Sequence, residues 1–184
     1  VRAPLPPVER APHLFLFVID SLRPDYLSPY NPSVHFTPHM QALADDSLVF
    51  SRSFTRYGGT GLSMPAIWAG SALAHKQYVL PFGTMNALEK LVDAVGYRRV
   101  MSRDHITDAL WQRRAEDVEL DRGRPEMEFD LCRTLDELLT TLTPEVTALR
   151  PVFAQTRSLN LHVAAVRHGY VPPGKSYPGF EAPY

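Results

Sequence analysis

Six consecutive apolar residues followed at once by an acid constrain the fold more than any other feature of this chain. The run is Leu14 to Ile19, and Asp20 ends it. Because the run lacks the apolar–polar alternation of a half-exposed strand, it predicts a central parallel strand covered on both faces. Ligands of open α/β sheets bind at the carboxyl ends of the strands, so Asp20 lies where a site would form.

Helical and strand-like patterns alternate along the rest of the chain. Thr37-Pro38 can begin a helix as N-cap and first-turn proline. Further helices are predicted over 63–69, 86–95 and 131–142, and further strands over 48–57, 97–101 and, in two pieces, within 151–166. This alternation predicts an α/β fold with a mostly parallel central sheet flanked by helices.

Composition and chain length set the domain organisation and exclude some partners. Residues 1–12 hold four prolines and predict a linker, and 13–184 are long enough for one domain with a core. The net charge of −1 gives no reason to expect nucleic acid as a partner. The chain begins with Val and shows no signal peptide, so we expect sequence upstream, where a membrane anchor or export signal would lie.

A hydroxyl flanked by glycines is the second informative feature. Thr60 lies between Gly59 and Gly61, just before a predicted helix. In one interpretation Thr60 is a helix N-cap or a polar residue of a glycine turn. In the other, the glycines let the backbone approach a ligand, and the helix start offers N–H groups and a positive dipole end to an anion.

Asp20 and Thr60 are residue types from which a metal-activated oxygen nucleophile can be built. A threonine hydroxyl is a poor nucleophile until a metal ion or a base lowers its effective pKa. Asp20 is able to supply part of such a metal site, and its structural alternative is a carboxylate that caps the following turn. If the two residues meet in space, the sequence predicts a phosphoryl- or sulfuryl-transfer site.

Four segments in order resemble the amino-terminal half of the alkaline phosphatase/sulfatase superfamily. The resemblance covers 14–70 closely and 71–150 weakly. The segments are 18–27, like the family's first strand and metal-ligand motif; 36–44, like its "TP-x-x-x-x-LA" helix; 48–54, like the strand before the nucleophile; and 59–66, like the nucleophile segment. Residues 159–162 and His168 resemble the strand whose histidine helps to hold the substrate anion.

The resemblance implies an alkaline-phosphatase-like fold and a set of site residues. Thr60 would be the nucleophile, and Asp20 and Thr60 would bind one divalent ion, zinc or manganese first, with calcium or magnesium as further candidates. The substrate-binding residues would be Gly59, Gly61, Ser63, His162 and His168. From the residues alone, the favoured interpretation of His162 is a strand-end histidine bonded to backbone, and only the resemblance gives its substrate-binding role equal weight.

Two departures narrow the resemblance. Ser21 stands where sulfatases carry a second acid, and Thr60 lies in a segment without their formylglycine-forming Cys or Ser and the following Arg. The pattern is therefore nearer to the threonine branch, the phosphoethanolamine and glycerophosphate transferases, which are membrane-anchored periplasmic or extracellular enzymes of bacteria. The family's downstream Asp-His-Gly motif is absent, and Asp104-His105 lies too early to replace it, so we expect 13–184 to be the amino-terminal part of a catalytic domain that a C-terminal part would complete.

Three hypotheses follow. The first is a metal-dependent hydrolase or transferase of phosphate esters, in particular lipid- or envelope-linked phosphodiesters, that uses a threonine nucleophile. The second is a sulfatase that hydrolyses sulfate esters. The third is a binding module that keeps the fold without the chemistry.

Overall fold

Four parallel strands form the centre of the computed structural model, which describes residues 11–55, 57–70, 85–143 and 150–166. The strand order is β1-β4-β2-β3, and every neighbouring pair is parallel. The α/β prediction is thereby confirmed. The strands are β1 (Leu14–Ile19), β2 (Arg98–Ser102), β3 (Val118–Leu120) and β4 (Val152–Ser158).

The register of β1 and β4 brings their carboxyl ends to the same level. Ile19 lies opposite Ser158, and Val18 lies opposite Arg157. The amide of Asp20 then donates to the carbonyl of Ser158 at 3.2 Å, so the ladder continues one residue past β1. Residues that follow either strand therefore share one edge of the sheet.

The described residues also form six helices and two short 3₁₀ turns. Gly96 ends the third helix with φ of 78°, the left-handed conformation that glycine adopts without strain. Asn86, Asp104 and Asp130 cap three helices through their side chains. The helices are α1 (Pro38–Asp45), α2 (Thr60–Ala69), α3 (Ala87–Val95), α4 (His105–Leu110), α5 (Leu131–Thr141) and α6 (Asn160–Val166), and the turns are Pro24–Tyr26 and Glu126–Glu128.

Alternate residues of the buried strands feed two apolar clusters, one on each face of the sheet. On one face Met101 and Phe153 pack with residues of α2, α3 and α4, where Trp68 and Trp111 meet edge to face at 5.8 Å. On the other face Val152 and Ala154 pack with Leu138 of α5. The first cluster fixes α2, and with it the position of Thr60 relative to β1.

Three sequence predictions about the strands are wrong. Residues 48–55 contain no strand, and Phe50 and Phe54 there are largely exposed. Within the described sheet β1 is an outer strand, and Phe15 and Phe17 are each 46% exposed, so it is not covered on both faces. Segment 151–166 holds one strand and then α6, because Asn160 begins a helix directly after β4.

The other predicted elements are present with small shifts. The strand predicted over 97–101 is β2, and the helices predicted over 86–95 and 131–142 are α3 and α5. Most of the predicted linker, 1–10, lies outside the described residues. Among the described helices, none combines the length and the apolarity needed to cross a bilayer.

Candidate functional site

The two residues that the sequence singled out meet in the structure. Thr60 Oγ1 donates a hydrogen bond of 3.0 Å to Asp20 Oδ2, across forty residues of chain. Asp20 follows β1 directly, and its side chain is 10% exposed. The carboxyl end of β1 and the start of α2 therefore form one site.

Helix α2 begins at Thr60, three residues earlier than the sequence predicted. Gly59 is its N-cap, with an extended backbone (φ −128°, ψ 139°), and no side chain caps this helix. The Thr60 hydroxyl is thus turned towards Asp20 instead of towards the amides of its own helix. The first turn of α2, which includes Gly61, starts with amides that no capping side chain occupies.

Ser63 does not face Asp20. Its hydroxyl donates to the Tyr57 carbonyl at 2.7 Å and lies 2.8 Å from Thr55 Oγ1. Ser63 therefore holds the loop that precedes α2. A Cβ placed on Gly59 would meet nothing within 4 Å, so protein packing alone does not require a glycine there.

His162 lies on α6, and the prediction that it ends a strand is wrong. The helix still brings the imidazole to the site, because it begins only two residues after β4 ends. His162 Nδ1 lies 3.1 Å from Ser21 Oγ and 3.4 Å from Asp20 Oδ1, and the side chain is 38% exposed. His168 lies outside the described residues.

Ser21 also contacts Oδ1, the second carboxylate oxygen of Asp20. Its hydroxyl donates to Asp20 Oδ1 at 3.3 Å. Its φ of 64° is in the left-handed region, which a non-glycine residue seldom adopts without a local reason. That conformation directs the chain away from the sheet immediately after Asp20.

Sequence reasoning missed Arg157, the residue that joins the site to the core. Its Nη1 donates to Asp20 Oδ2 at 3.0 Å, and its Nε is hydrogen-bonded to Asp104 Oδ2. The Arg157 side chain is 6% exposed, and that of Asp104 is 1% exposed. An arginine near the end of a predicted strand was the available signal, because a charge that becomes buried must be paired.

Asp104 and His105 turn to different partners. Asp104 caps α4 by accepting from the Thr107 amide at 2.7 Å while it holds Arg157. His105 lies outside the core, and its Nδ1 lies 2.8 Å from Glu126 Oε2. Partial burial raises the pKa of Glu126, but hydrogen bonds from the His105 amide and ring outweigh this and lower the pKa below its usual range.

The charges and donor atoms of the cluster suit a cation. Asp20 and Asp104 carry two negative charges against the one positive charge of Arg157, which leaves a formal charge of −1. A carboxylate oxygen and a hydroxyl oxygen 3.0 Å apart have the spacing of two neighbouring ligands of a small divalent ion, whose oxygen ligands lie about 2.1 Å away. The described residues hold no group of three or more His, Cys, Asp and Glu placed for one metal ion. Asp20 and Thr60 therefore fit a divalent ion as part of its ligand set.

Comparison with known proteins gives no match. No family model, no curated protein and no solved structure matches this chain.

Proposed function

We propose that the chain carries the nucleophile half of a phosphate-ester hydrolase or transferase, with Thr60 as the nucleophile. The observation that carries the proposal is the bond between Thr60 Oγ1 and Asp20 Oδ2 at the carboxyl edge of a parallel sheet. A hydroxyl directed away from its own helix and onto a carboxylate has a base within reach, which an activated nucleophile requires.

The chemical step is an in-line displacement at phosphorus. A bond forms between Thr60 Oγ1 and phosphorus while the bond from phosphorus to the leaving oxygen breaks. The hydroxyl proton of Thr60 passes to Asp20 Oδ2, and the leaving oxygen takes a proton from His162. A water molecule, or the alcohol of an acceptor in a transferase, then attacks phosphorus and gives its proton to His162. The bond from phosphorus to Thr60 Oγ1 breaks, and that oxygen takes back the proton held by Asp20.

The start of α2 stabilises the charge that develops on the phosphoryl oxygens. Its uncapped first amides and positive dipole end lie beside Thr60, at the place where the oxygens of the reacting group would gather. A divalent ion, when bound, supplies positive charge that favours the ionised threonine oxygen. Asp20 and Thr60 would hold it, and the remaining ligands would be water, substrate or residues other than those described.

The proposal is tested by turnover of bis(p-nitrophenyl) phosphate in the presence of Mn²⁺ or Zn²⁺. We expect Thr60→Ala to abolish turnover and Thr60→Ser to keep part of it, because serine retains a hydroxyl at the same position. Thr140→Ala, which changes an exposed threonine of α5, is the matched control and should turn over like the parent. Full turnover by Thr60→Ala would show that Thr60 is not the nucleophile.

Parallel assays with p-nitrophenyl sulfate separate the phosphate-ester proposal from the sulfatase hypothesis. The same site could bind either tetrahedral anion, but Thr60 is not the Cys or Ser of a formylglycine segment. We therefore expect turnover of the phosphodiester and none of the sulfate ester. Faster Thr60-dependent cleavage of the sulfate ester would favour the sulfatase.

The Asp20–Arg157 ion pair favours a second candidate function, a binding module without catalysis. Arg157 Nη1 occupies the same Asp20 oxygen that receives the Thr60 hydroxyl. In a purely structural site this guanidinium would be the permanent partner of Asp20 and no metal would bind. A stoichiometric metal ion that is present in the parent and absent from Asp20→Ala would rule out that function.

A further inference from the structure

We propose that Arg157 binds the substrate anion at this site, and that its guanidinium selects a tetrahedral oxyanion for attack by Thr60. The inference rests on the proposed function, because it names the group that holds the ester which Thr60 would attack. It adds a residue that was not part of the site predicted from the sequence.

The hydrogen-bonding capacity of Arg157 is only partly used. A guanidinium carries five N–H donors in one plane. Nε bonds Asp104 and Nη1 bonds Asp20, while Nη2 has no hydrogen-bond acceptor in the described part of the chain. A guanidinium that two carboxylates hold, and that keeps one N–H group without an acceptor among the described residues, is oriented in advance for an incoming anion.

The geometry places the Arg157 guanidinium near the nucleophile. Arg157 Nη1 and Thr60 Oγ1 each lie 3.0 Å from the same Asp20 oxygen, so the two atoms are within about 6 Å of each other. A phosphorus atom at the near-attack distance of about 3 Å from Thr60 Oγ1 puts its non-bridging oxygens within N–H reach of such a guanidinium. Thr60 and Arg157, the two groups beside the anion, would then both be hydrogen-bonded to Asp20.

Asp104 prevents Arg157 from following the anion out of the site. Its side chain is 1% exposed and is fixed in turn by the Thr107 amide. Because the Nε corner stays with Asp104, binding needs only a small adjustment of the Nη groups. Asp104 is accordingly a positioning residue for Arg157.

The test is the affinity of the full chain for inorganic phosphate, measured by calorimetry with and without added Mn²⁺. We expect Arg157→Gln to weaken phosphate binding about 10- to 100-fold, the range expected for loss of a charge-assisted hydrogen bond. Arg157→Lys should recover part of the affinity, since lysine keeps the charge but not the fork. Arg103→Gln is the matched control: it also breaks a buried arginine–carboxylate pair, but Arg103 bonds Asp108 and not Asp20.

Three results would overturn the inference: no saturable phosphate binding by the parent in either condition, equal affinity in the parent and Arg157→Gln, or equal losses in Arg157→Gln and Arg103→Gln. Should Arg157→Gln not fold, nitrogen-detected NMR of the parent replaces it. Phosphate should then shift the Arg157 guanidinium resonances and leave those of exposed Arg113 unchanged, and unshifted Arg157 resonances would contradict the inference.

The assay also separates this inference from the proposed function. Phosphate binding that depends on Arg157, without Thr60-dependent turnover of the phosphodiester, would keep the anion site and remove the catalytic proposal. If turnover depends on Thr60 but phosphate affinity does not change in Arg157→Gln, the catalytic proposal stands and the anion site at Arg157 is ruled out.

Discussion

Replacing Asp104 separates two contributions that one buried carboxylate makes to stability. Oδ1 caps α4 at the Thr107 amide, and Oδ2 holds Arg157. Asp104→Asn keeps an oxygen for the cap but removes the charge, whereas Asp104→Ala removes both. The difference between the two variants therefore isolates the cap.

The magnitudes follow from the contacts. Breaking a buried ion pair by removing one partner costs about 3–5 kcal/mol when the other charge is left alone. Arg157 keeps Asp20 as a partner in this chain, so we expect Asp104→Asn to lower the free energy of unfolding by about 2–3 kcal/mol. The lost cap adds about 1 kcal/mol, so Asp104→Ala should cost about 3–4 kcal/mol.

Urea denaturation near neutral pH measures these differences. Asp108→Asn is the control, because Asp108 also pairs with a buried arginine but is itself 39% exposed, and its loss should cost less than about 1 kcal/mol. An Asp104→Asn variant as stable as the parent would refute the contribution of the ion pair. Equal stability of the Asn and Ala variants would refute the contribution of the cap.

Two further predictions concern pH and packing. Because its folded pKa lies below the usual 4.5, Glu126 contributes stability that is present above that pH and is lost as the pH falls through the folded pKa; the acid titration of parent and His105→Ala measures it, and identical curves would contradict it. Leu138→Ala should cost about 2–5 kcal/mol, because Leu138 is 2% exposed in the cluster beneath α5. Its neighbour Leu139 is 69% exposed, so Leu139→Ala should change the urea midpoint little, and equal effects would refute the assignment of faces.

Local patterns made much of the fold predictable. The apolar period of α3 and the glycine after it fixed both the helix and its end, and Gly96 has the positive φ that this interpretation requires. The run before Asp20 likewise marked β1 correctly. These elements are specified by residues close in sequence, whose effects a single sequence displays.

Pairing between distant segments was not predictable in the same way. The alternation over 48–57 is typical of a strand, but a strand forms only where a partner offers its hydrogen bonds, and none of the described strands pairs with that segment. For β1, a fully apolar run predicted two covered faces, yet Phe15 and Phe17 lie on an outer strand. Both errors concern the neighbours of a segment in the fold, and the residues of the segment itself do not determine those neighbours.

For the same reason, only part of the candidate site could be predicted from the sequence. Asp20 and Thr60 were recognisable because each follows or begins an element with a strong local signature. Arg157 and Asp104 became part of the site only when β4 was inserted beside β1 and α4 was placed at the same edge. A buried arginine can be flagged from sequence, but its carboxylate partners depend on strand order.

The residues around Asp20 include more than a structural clamp requires. A clamp would need only Arg157 and Asp104, which already neutralise and bury one another. Thr60 adds little to such a clamp, and it does not cap α2, because Gly59 holds the N-cap position and Thr60 is the first helical residue. Its hydroxyl is instead turned to a carboxylate beside a half-exposed histidine. A hydroxyl and a histidine that the clamp does not need, and that converge on one carboxylate, are the groups we expect in a site that binds and activates a ligand.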